Sequence, residues 1–321
     1  MKKLLIGFIS LLLLVGCSSG GKEEKVYYSY GEHGYGEMEL SLELEKKEDA
    51  DVVVYKNDET LAELQMVIVS YRIEFELIRL VYQTNLESVA DTWDIEIKEV
   101  TLGGYPAVRL SGFEKGEDNT ATRWIFQDEV GLTHIILFKG TKAEAELVFE
   151  ELEASFQLDP FSELESSSKI KLSITEELKY VGEVDKGFVM IPESWVEFID
   201  VAGNSDLQYS DALGMSIITM NLVELGGMEA DVETVAVAIY TNIAQDKSAI
   251  MVMKEPEAIE VNQLSGYRFS SYYASLGKVL TVYILEREDG QFQYIAVEGY
   301  PYMISELRQL IETTYSEVNP E

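Results

Sequence analysis

The 321-residue chain repeats itself, and this constrains its fold more than any other feature. Leu102-Gly103-Gly104-Tyr105 returns as Leu264-Ser265-Gly266-Tyr267, 162 residues later. Before each lies a short alternating run, Asp94-Ile95-Glu96-Ile97 in one copy and Ala258-Ile259-Glu260-Val261 in the other. After each come two more strand-like runs around a turn. In the first copy these are Arg123-Trp124-Ile125-Phe126 and His134-Ile135-Ile136-Leu137-Phe138, with Gly131 between them and Gly140 behind. In the second they are Thr281-Val282-Tyr283-Ile284 and Gln293-Tyr294-Ile295-Ala296-Val297, with Asp289-Gly290 between and Gly299 behind. Here the spacing is 159, so a preceding hairpin loop is three residues shorter in the second copy. Both copies then place apolar residues three and four apart, which puts them on one face of a helix. These are Leu147, Val148 and Leu152 leading to Phe156, and Leu307, Leu310 and Ile311 leading to Tyr315. Upstream, Tyr82-Gln83-Thr84-Asn85-Leu86 matches Tyr240-Thr241-Asn242-Ile243 within a second helical stretch. Self-similarity at a fixed period means a duplicated structural unit.

The unit begins with strands. Met38, Leu40, Leu42 and Leu44 alternate with Glu39, Ser41, Glu43 and Glu45, the period of a strand with one wet face. In the second copy Gly187 to Pro192 precedes Glu193-Ser194-Trp195, and Met215 to Leu222 reads as another strand. The expected fold class is α+β: two tandem related domains, each an antiparallel β-sheet packed with two helices. They span residues 26–158 and 171–321, joined by a linker over 159–170, where a proline and a serine cluster lack periodicity. Each copy is long enough to bury a core of its own, so each is expected to fold independently.

Ahead of the repeat, Lys2 and Lys3 precede an apolar run from Leu4 to Val15, too short to span a bilayer comfortably. Residues 1–16 therefore read as an export signal. Leu14-Val15-Gly16-Cys17 resembles the lipobox of bacterial lipoproteins. That resemblance implies lipidation of the Cys17 sulfur, cleavage before it, and a protein anchored in the cell membrane on its extracytoplasmic side. Cys17 is the only cysteine, so no disulfide competes for it. Residues 17–25 continue as Ser18-Ser19-Gly20-Gly21-Lys22-Glu23-Glu24-Lys25, a flexible lipidated tether reaching about 15 Å by random-coil scaling.

Charge narrows the partners. The chain carries 25 basic and 58 acidic residues, and loss of Lys2 and Lys3 with the signal moves its formal charge from −33 to −35. Nucleic acid and anionic headgroups repel such a body, which excludes a DNA or RNA function. The 19 tyrosines fit the pleated surface of exposed sheet without invoking a ligand.

A second resemblance rests on Ile191-Pro192-Glu193-Ser194-Trp195, the later Gly-Tyr strand, the two-stranded hairpin and the C-terminal helix. Together these resemble the PsbP-like fold, a group that includes the extrinsic protein of photosystem II and many bacterial lipoproteins. The resemblance covers nearly all of the second copy and the latter half of the first. It implies a non-catalytic binding or assembly module.

The residues themselves offer little chemistry. His33, in the loop Gly31-Glu32-His33-Gly34-Tyr35-Gly36, has Glu32 and Glu37 as its nearest candidates for a metal site. His134 reads as a surface or edge histidine in a hairpin strand, and neither histidine has the spaced partners that zinc needs. Gly203-Asn204-Ser205-Asp206 lacks the second glycine of a nucleophile elbow, and no phosphate-binding or dinucleotide glycine pattern occurs. The acidic loop Glu114-Lys115-Gly116-Glu117-Asp118-Asn119 gathers oxygen ligands around a glycine but lacks the calcium-loop spacing, and reads as a solvated hairpin. Trp124 and Trp195 alternate inward as core, while Trp93 is less constrained. No catalytic, metal-binding or cofactor-binding residue is assigned; the one site residue is Cys17. The expected function is a membrane-anchored surface lipoprotein acting as a non-enzymatic protein-binding or assembly module with an envelope protein as partner. The alternative is a cation- or small-ligand-binding lipoprotein for uptake or sensing, recognisable by an aromatic-lined cavity.

Overall fold

The repeated segments form two antiparallel sheets with one strand order. The computed structural model describes residues 25–47, 49, 52–197, 207–227, 229–245 and 251–320. The signal, Cys17 and residues 18–24, with Gly203-Asn204-Ser205-Asp206, lie outside the described residues.

In the first unit, a hairpin of β1 (Tyr28–Glu32) and β2 (Gly36–Leu40) stands apart from a seven-stranded sheet. The sheet contains β3 (Glu45–Lys47), β4 (Val53–Lys56), β5 (Glu63–Ile68), β6 (Trp93–Leu102), β7 (Tyr105–Glu114), β8 (Thr120–Gln127) and β9 (Thr133–Gly140), ordered β3-β4-β5-β9-β8-β7-β6. Helix α1 (Phe75–Glu87) interrupts it after β5, α2 (Lys142–Ser155) follows it, and α3 (Glu163–Lys169) leads on to the second unit. That unit has a hairpin of β10 (Leu178–Glu183) and β11 (Gly187–Pro192), then β12 (Val196–Glu197), β13 (Leu207–Ser210) and β14 (Ile217–Leu222). Helix α4 (Val232–Ala244), β15 (Met251–Met253), β16 (Glu257–Val261), β17 (Leu264–Tyr273), β18 (Lys278–Glu286), β19 (Phe292–Gly299) and α5 (Pro301–Thr314) complete it. Its order, β12-β13-β14-β19-β18-β17-β15 with β16 also on β17, repeats that of the first sheet. The edge strand β6 is continuous, but its counterpart is split into β15 and β16 around Lys254-Glu255-Pro256. Proline cannot donate to a ladder, and an edge is one place that tolerates it.

Alternation along the strands sorts the core. Trp124, Phe126, Ile136 and Phe138 join Val148, Leu152 and Phe156 from α2 and Tyr30, Met38 and Leu40 from the hairpin in one buried cluster. Their neighbours Ile125 and Ile135 point to the opposite face and join Ile78 and Leu86 of α1. A threonine–glutamate capping box, Thr141 with Glu144, starts α2. Of the apolar positions read for this helix Leu147 is exposed, and Ala145, Val148, Phe149 and Leu152 carry the buried face.

Three other expectations change on folding. The alternating run at Met38–Leu44 is two pieces, because the chain leaves β2 at Ser41 and turns before β3. Tyr30 holds that corner, donating to the Leu42 carbonyl at 2.6 Å and accepting from Leu44 N–H at 2.8 Å. The segment between the copies contains the capped helix α3, started by Ser162 and Glu165, and its Phe161 is buried against the first hairpin. The cores also merge. One continuous cluster runs from Leu77, Ile78 and Leu80 of α1 through Trp195, Tyr283, Ile295 and Leu307 of the second unit. Helix α1 touches β7 of its own sheet and β17 of the other, so it is a shared middle layer.

Candidate functional site

The most chemically distinctive arrangement occurs twice. In the second unit Arg268 of β17 lies between Glu257 of β16 and Glu312 of α5, while Tyr283 of β18 donates to Glu312 at 2.8 Å. In the first, Arg109 of β7 lies between Glu96 of β6 at 3.3 Å and Glu153 of α2 at 2.8 Å, and Trp124 Nε1 donates to Glu153 at 3.0 Å. Arginine, helix glutamate and aromatic donor are each 159 residues apart between the units. The register differs in one respect: Glu257 is directly opposite Arg268, whereas Glu96 reaches Arg109 from two residues along β6.

The two clusters are closed differently. The Phe149 ring lies 4.2 Å from the Arg109 guanidinium. At the equivalent position the second unit has Arg308, 2% exposed, which meets Glu74 at the start of α1 at 2.7 Å. An arginine there requires a counter-ion, and the other unit supplies it. Burial pushes the Glu74 carboxyl up, with Arg308 opposing it. Burial also pushes the Tyr283 hydroxyl up, so it stays a proton donor. Burial alone would raise Glu257, but hydrogen bonds from Arg268 and Lys254 outweigh it and hold that carboxyl below the usual range.

Beside this second cluster lies a cavity of about 260 Å³ between the units, walled by Leu77 and Leu80 of α1, Phe269 and Ser270 of β17, and Arg308. The carboxylates at its rim already have basic partners: Lys254 meets Glu76 at 3.4 Å and Glu257 at 3.1 Å. Such a site can hold an amphiphilic small molecule; its carboxylates are poorly placed for proton transfer.

The residues singled out in the sequence fall elsewhere. His33 is exposed on the β1–β2 turn, and its partners are Asp159 at 2.9 Å and Glu165 at 3.7 Å rather than Glu32 and Glu37. Asp159 holds its imidazole above the ordinary value. No group of three or more metal-ligating side chains occurs among the described residues. In the loop Glu114–Asn119, Asn119 donates to Glu114 at 2.9 Å and Asp118 accepts from Lys142 N–H at the start of α2 at 3.0 Å. Trp124 and Trp195 are buried and Trp93 is half-buried.

His134 is neither at the surface nor at an edge. Its strand β9 is paired on both sides, by β5 and β8, and the ring is 2% exposed. Nε2 lies 3.1 Å from Asp128 Oδ2, and Asp128 Oδ1 accepts the N–H groups of Val130 and Leu132. Burial would raise Asp128, but His134 and those N–H groups outweigh it and depress its pKa. An ionised carboxylate only accepts, so Nε2 carries the proton it shares. A folded pKa below the unfolded one stabilises above the unfolded value and is lost as pH falls through the folded value. Asp128→Asn should therefore lower the unfolding free energy by about 1–3 kcal/mol at neutral pH. The difference should shrink below about pH 4, the ordinary range of an aspartate. Denaturant unfolding across this range checks it; a constant difference would mean the carboxylate contributes no charge.

No family model matches the chain, and no curated protein does. Among solved structures, a protein from Bacteroides thetaiotaomicron VPI-5482 aligns at 15% identity with a TM-score of 0.29, over 49% of this chain and 54% of that one. The chain thus spans about half of that structure's length. MucB in its Pseudomonas aeruginosa complex with MucA aligns at 11% identity over 90% of both chains, with a TM-score of 0.18. A putative oleoyl thioesterase from Lactobacillus plantarum aligns at 9% identity over 74% of this chain and 96% of that one, with a TM-score of 0.13. Likenesses of this size carry no functional argument.

Proposed function

We propose that this chain is a lipoprotein held on the extracytoplasmic side of the cell membrane by acylated Cys17, binding an envelope protein and catalysing no reaction. The lipobox sequence supports the anchor. The observation that carries the binding reading is the engagement of the interior's ionisable groups. Arg109 and Arg268 are each held by a strand carboxylate and a helix carboxylate, Arg308 by Glu74, and His134 by Asp128. Hollows of about 500 and 810 Å³ among the described residues are open troughs on the surface, suited to another protein's surface. Each unit is taken as one PsbP-like module, a sheet with a helix on either face, duplicated within residues 26–158 and 171–321. Crosslinking in intact cells should capture one envelope protein reproducibly; its absence would leave the binding reading without support.

The cavity between α1 and β17 favours a second reading, a small-ligand-binding lipoprotein for uptake or sensing. A metabolite that raises the melting temperature, with no protein captured by crosslinking, would favour it over the first.

Anchoring has its own test. One fatty chain holds a protein only marginally, whereas two hold it stably. Cys17→Ala should shift the protein almost completely from the membrane fraction to the soluble one. Retention of the variant on membranes after a high-salt wash would overturn the lipid assignment.

A further inference from the structure

Helix α4 stands out from the rest of the surface. In a chain with 58 acidic residues, its 13 residues include one charge, Glu233. Of these residues Val235 and Ala236 are buried, while Val237 is 46% exposed, and Thr234, Ala238, Thr241 and Asn242 are exposed beside it. The exposed residues recur at three- and four-residue spacing, so they form one uncharged stripe facing away from the sheet.

The first unit shows what becomes of this stripe. At a spacing of 157, Leu77, Leu80 and Thr84 of α1 occupy the positions of Thr234, Val237 and Thr241. Both threonines donate to the carbonyl four residues back, Thr84 to Leu80 at 2.8 Å and Thr241 to Val237 at 2.7 Å. In α1 all three positions are buried, and Leu77 and Leu80 face Phe269, Ser270 and Arg308 of the second unit. Where this chain covers the stripe, it does so with another copy of the same unit.

We propose that the outer stripe of α4 pairs with α4 of a second copy of this chain about a two-fold axis. Two bodies of such high like charge repel, and their approach is least unfavourable where neither presents charge. Continuing the internal stack head to tail would instead lay α4 on the α2 side of the next molecule. That helix exposes Glu146 and Glu150, and an uncharged partner would desolvate them without compensation. Two-fold pairing sets the uncharged stripe on itself and closes the assembly at a dimer. The small side chains of Thr234, Ala238 and Thr241 allow helix axes within about 8–10 Å. A helix of this length covers only about 20 Å, and the contact falls short of the roughly 800 Å² per partner of a stable interface. The dimer is therefore weak in solution, and anchoring both copies in one membrane raises their effective concentration.

The test uses the chain from Ser18 to Glu321, which keeps every described element and lacks the lipid. Sedimentation equilibrium from about 5 μM to about 1 mM should show the mass rising towards twice the monomer. The rise should be steeper at about 0.5 M salt than at 0.15 M, because residual repulsion is screened. Ala238→Glu should weaken association at least about tenfold, since it opposes two like charges. Leu213→Glu, at an exposed site on the β13–β14 turn, should leave association unchanged. The Ala238→Cys variant, whose thiol is then the only one, should oxidise to a dimer faster than the Leu213→Cys variant. Three results would each overturn the proposal: a monomer throughout, a dimer indifferent to Ala238→Glu, or equal oxidation rates. A stripe that serves a different protein or a lipid surface gives the first.

Discussion

Glu153→Ala should lower the stability of the chain by about 3 kcal/mol, and Glu312→Ala by a similar amount. Glu153 accepts from both Arg109 and Trp124 Nε1. Arg109 is 5% exposed and Trp124 fully buried, so neither donor regains water when the carboxylate goes. An unpaired buried donor costs about 1–3 kcal/mol, more when charged, and Glu96 alone faces solvent too much to compensate. Glu153→Gln keeps an acceptor for the indole and should lose less than half as much. Replacing Arg109 by Met and Glu153 by Leu together should also cost less than Glu153→Ala, because it removes the buried charge with its partner. Denaturant unfolding measures all three. A loss for Glu153→Ala under about 1 kcal/mol would mean that water reaches the guanidinium and the cluster is open.

This cluster was within reach of the sequence but not of motif reading. Among 58 acidic residues no single glutamate stands out. What marks Glu153 and Glu312 is a shared spacing: the same 159 residues separate them, Arg109 from Arg268, and Trp124 from Tyr283. Read at 162, the Leu-Gly-Gly-Tyr match sends Arg109 to Ser271. The strand register pairs Leu102 with Tyr105 and Val261 with Leu264, so the spacing is 159 there too and the expected shorter loop is absent. Carrying that spacing to individual polar residues finds the cluster. The opening hairpins are a similar case. Gly31-Glu32 and Gly36 return as Gly182-Glu183 and Gly187, and the pairing reflects one backbone requirement. Gly31 and Gly182 have φ of +149° and +152°, and a Cβ on either would lie 2.2 or 2.1 Å from the carbonyl oxygen of Gly36 or Gly187. The residues around these glycines differ, so alternation alone could not align them.

Other features depend on contacts distant in sequence. The strands of the later half of each unit are legible because each alternates within itself. Whether a strand is interior or at an edge depends on strand order, and for that reason His134 reads as exposed while β9 lies between β5 and β8. The pattern of α1 shows an apolar helix but does not show that Leu77 and Leu80 leave their own sheet to cover the other. Arg308 with Glu74 is the corresponding polar signal, and it spans more than two hundred residues. The acidic composition, by contrast, disfavours nucleic acid without any knowledge of the fold.

The shared middle layer leads to the second large effect. Leu77→Ala should cost about 3 kcal/mol, within the range of large-to-small core substitutions, since Leu77 is 1% exposed. The informative readout is where that loss is felt. Trp124 reports on the first unit and Trp195 on the second, and each can be followed in a variant with the other two tryptophans replaced by Phe. If Leu77 belongs to one core with Trp195, Tyr283 and Leu307, both transitions should coincide and both should shift with Leu77→Ala. The fragment from Lys171 to Glu321 should then unfold at lower denaturant than the full chain. It lacks Leu77 and Leu80 over β17 and leaves Arg308 without its Glu74 partner. A Trp195 transition that ignores Leu77→Ala, with a fragment as stable as the parent, would instead restore two independent domains. One cooperative body and two beads on a tether present different surfaces to a partner. In the first case the open troughs keep fixed mutual positions, so a single docking partner can use them together.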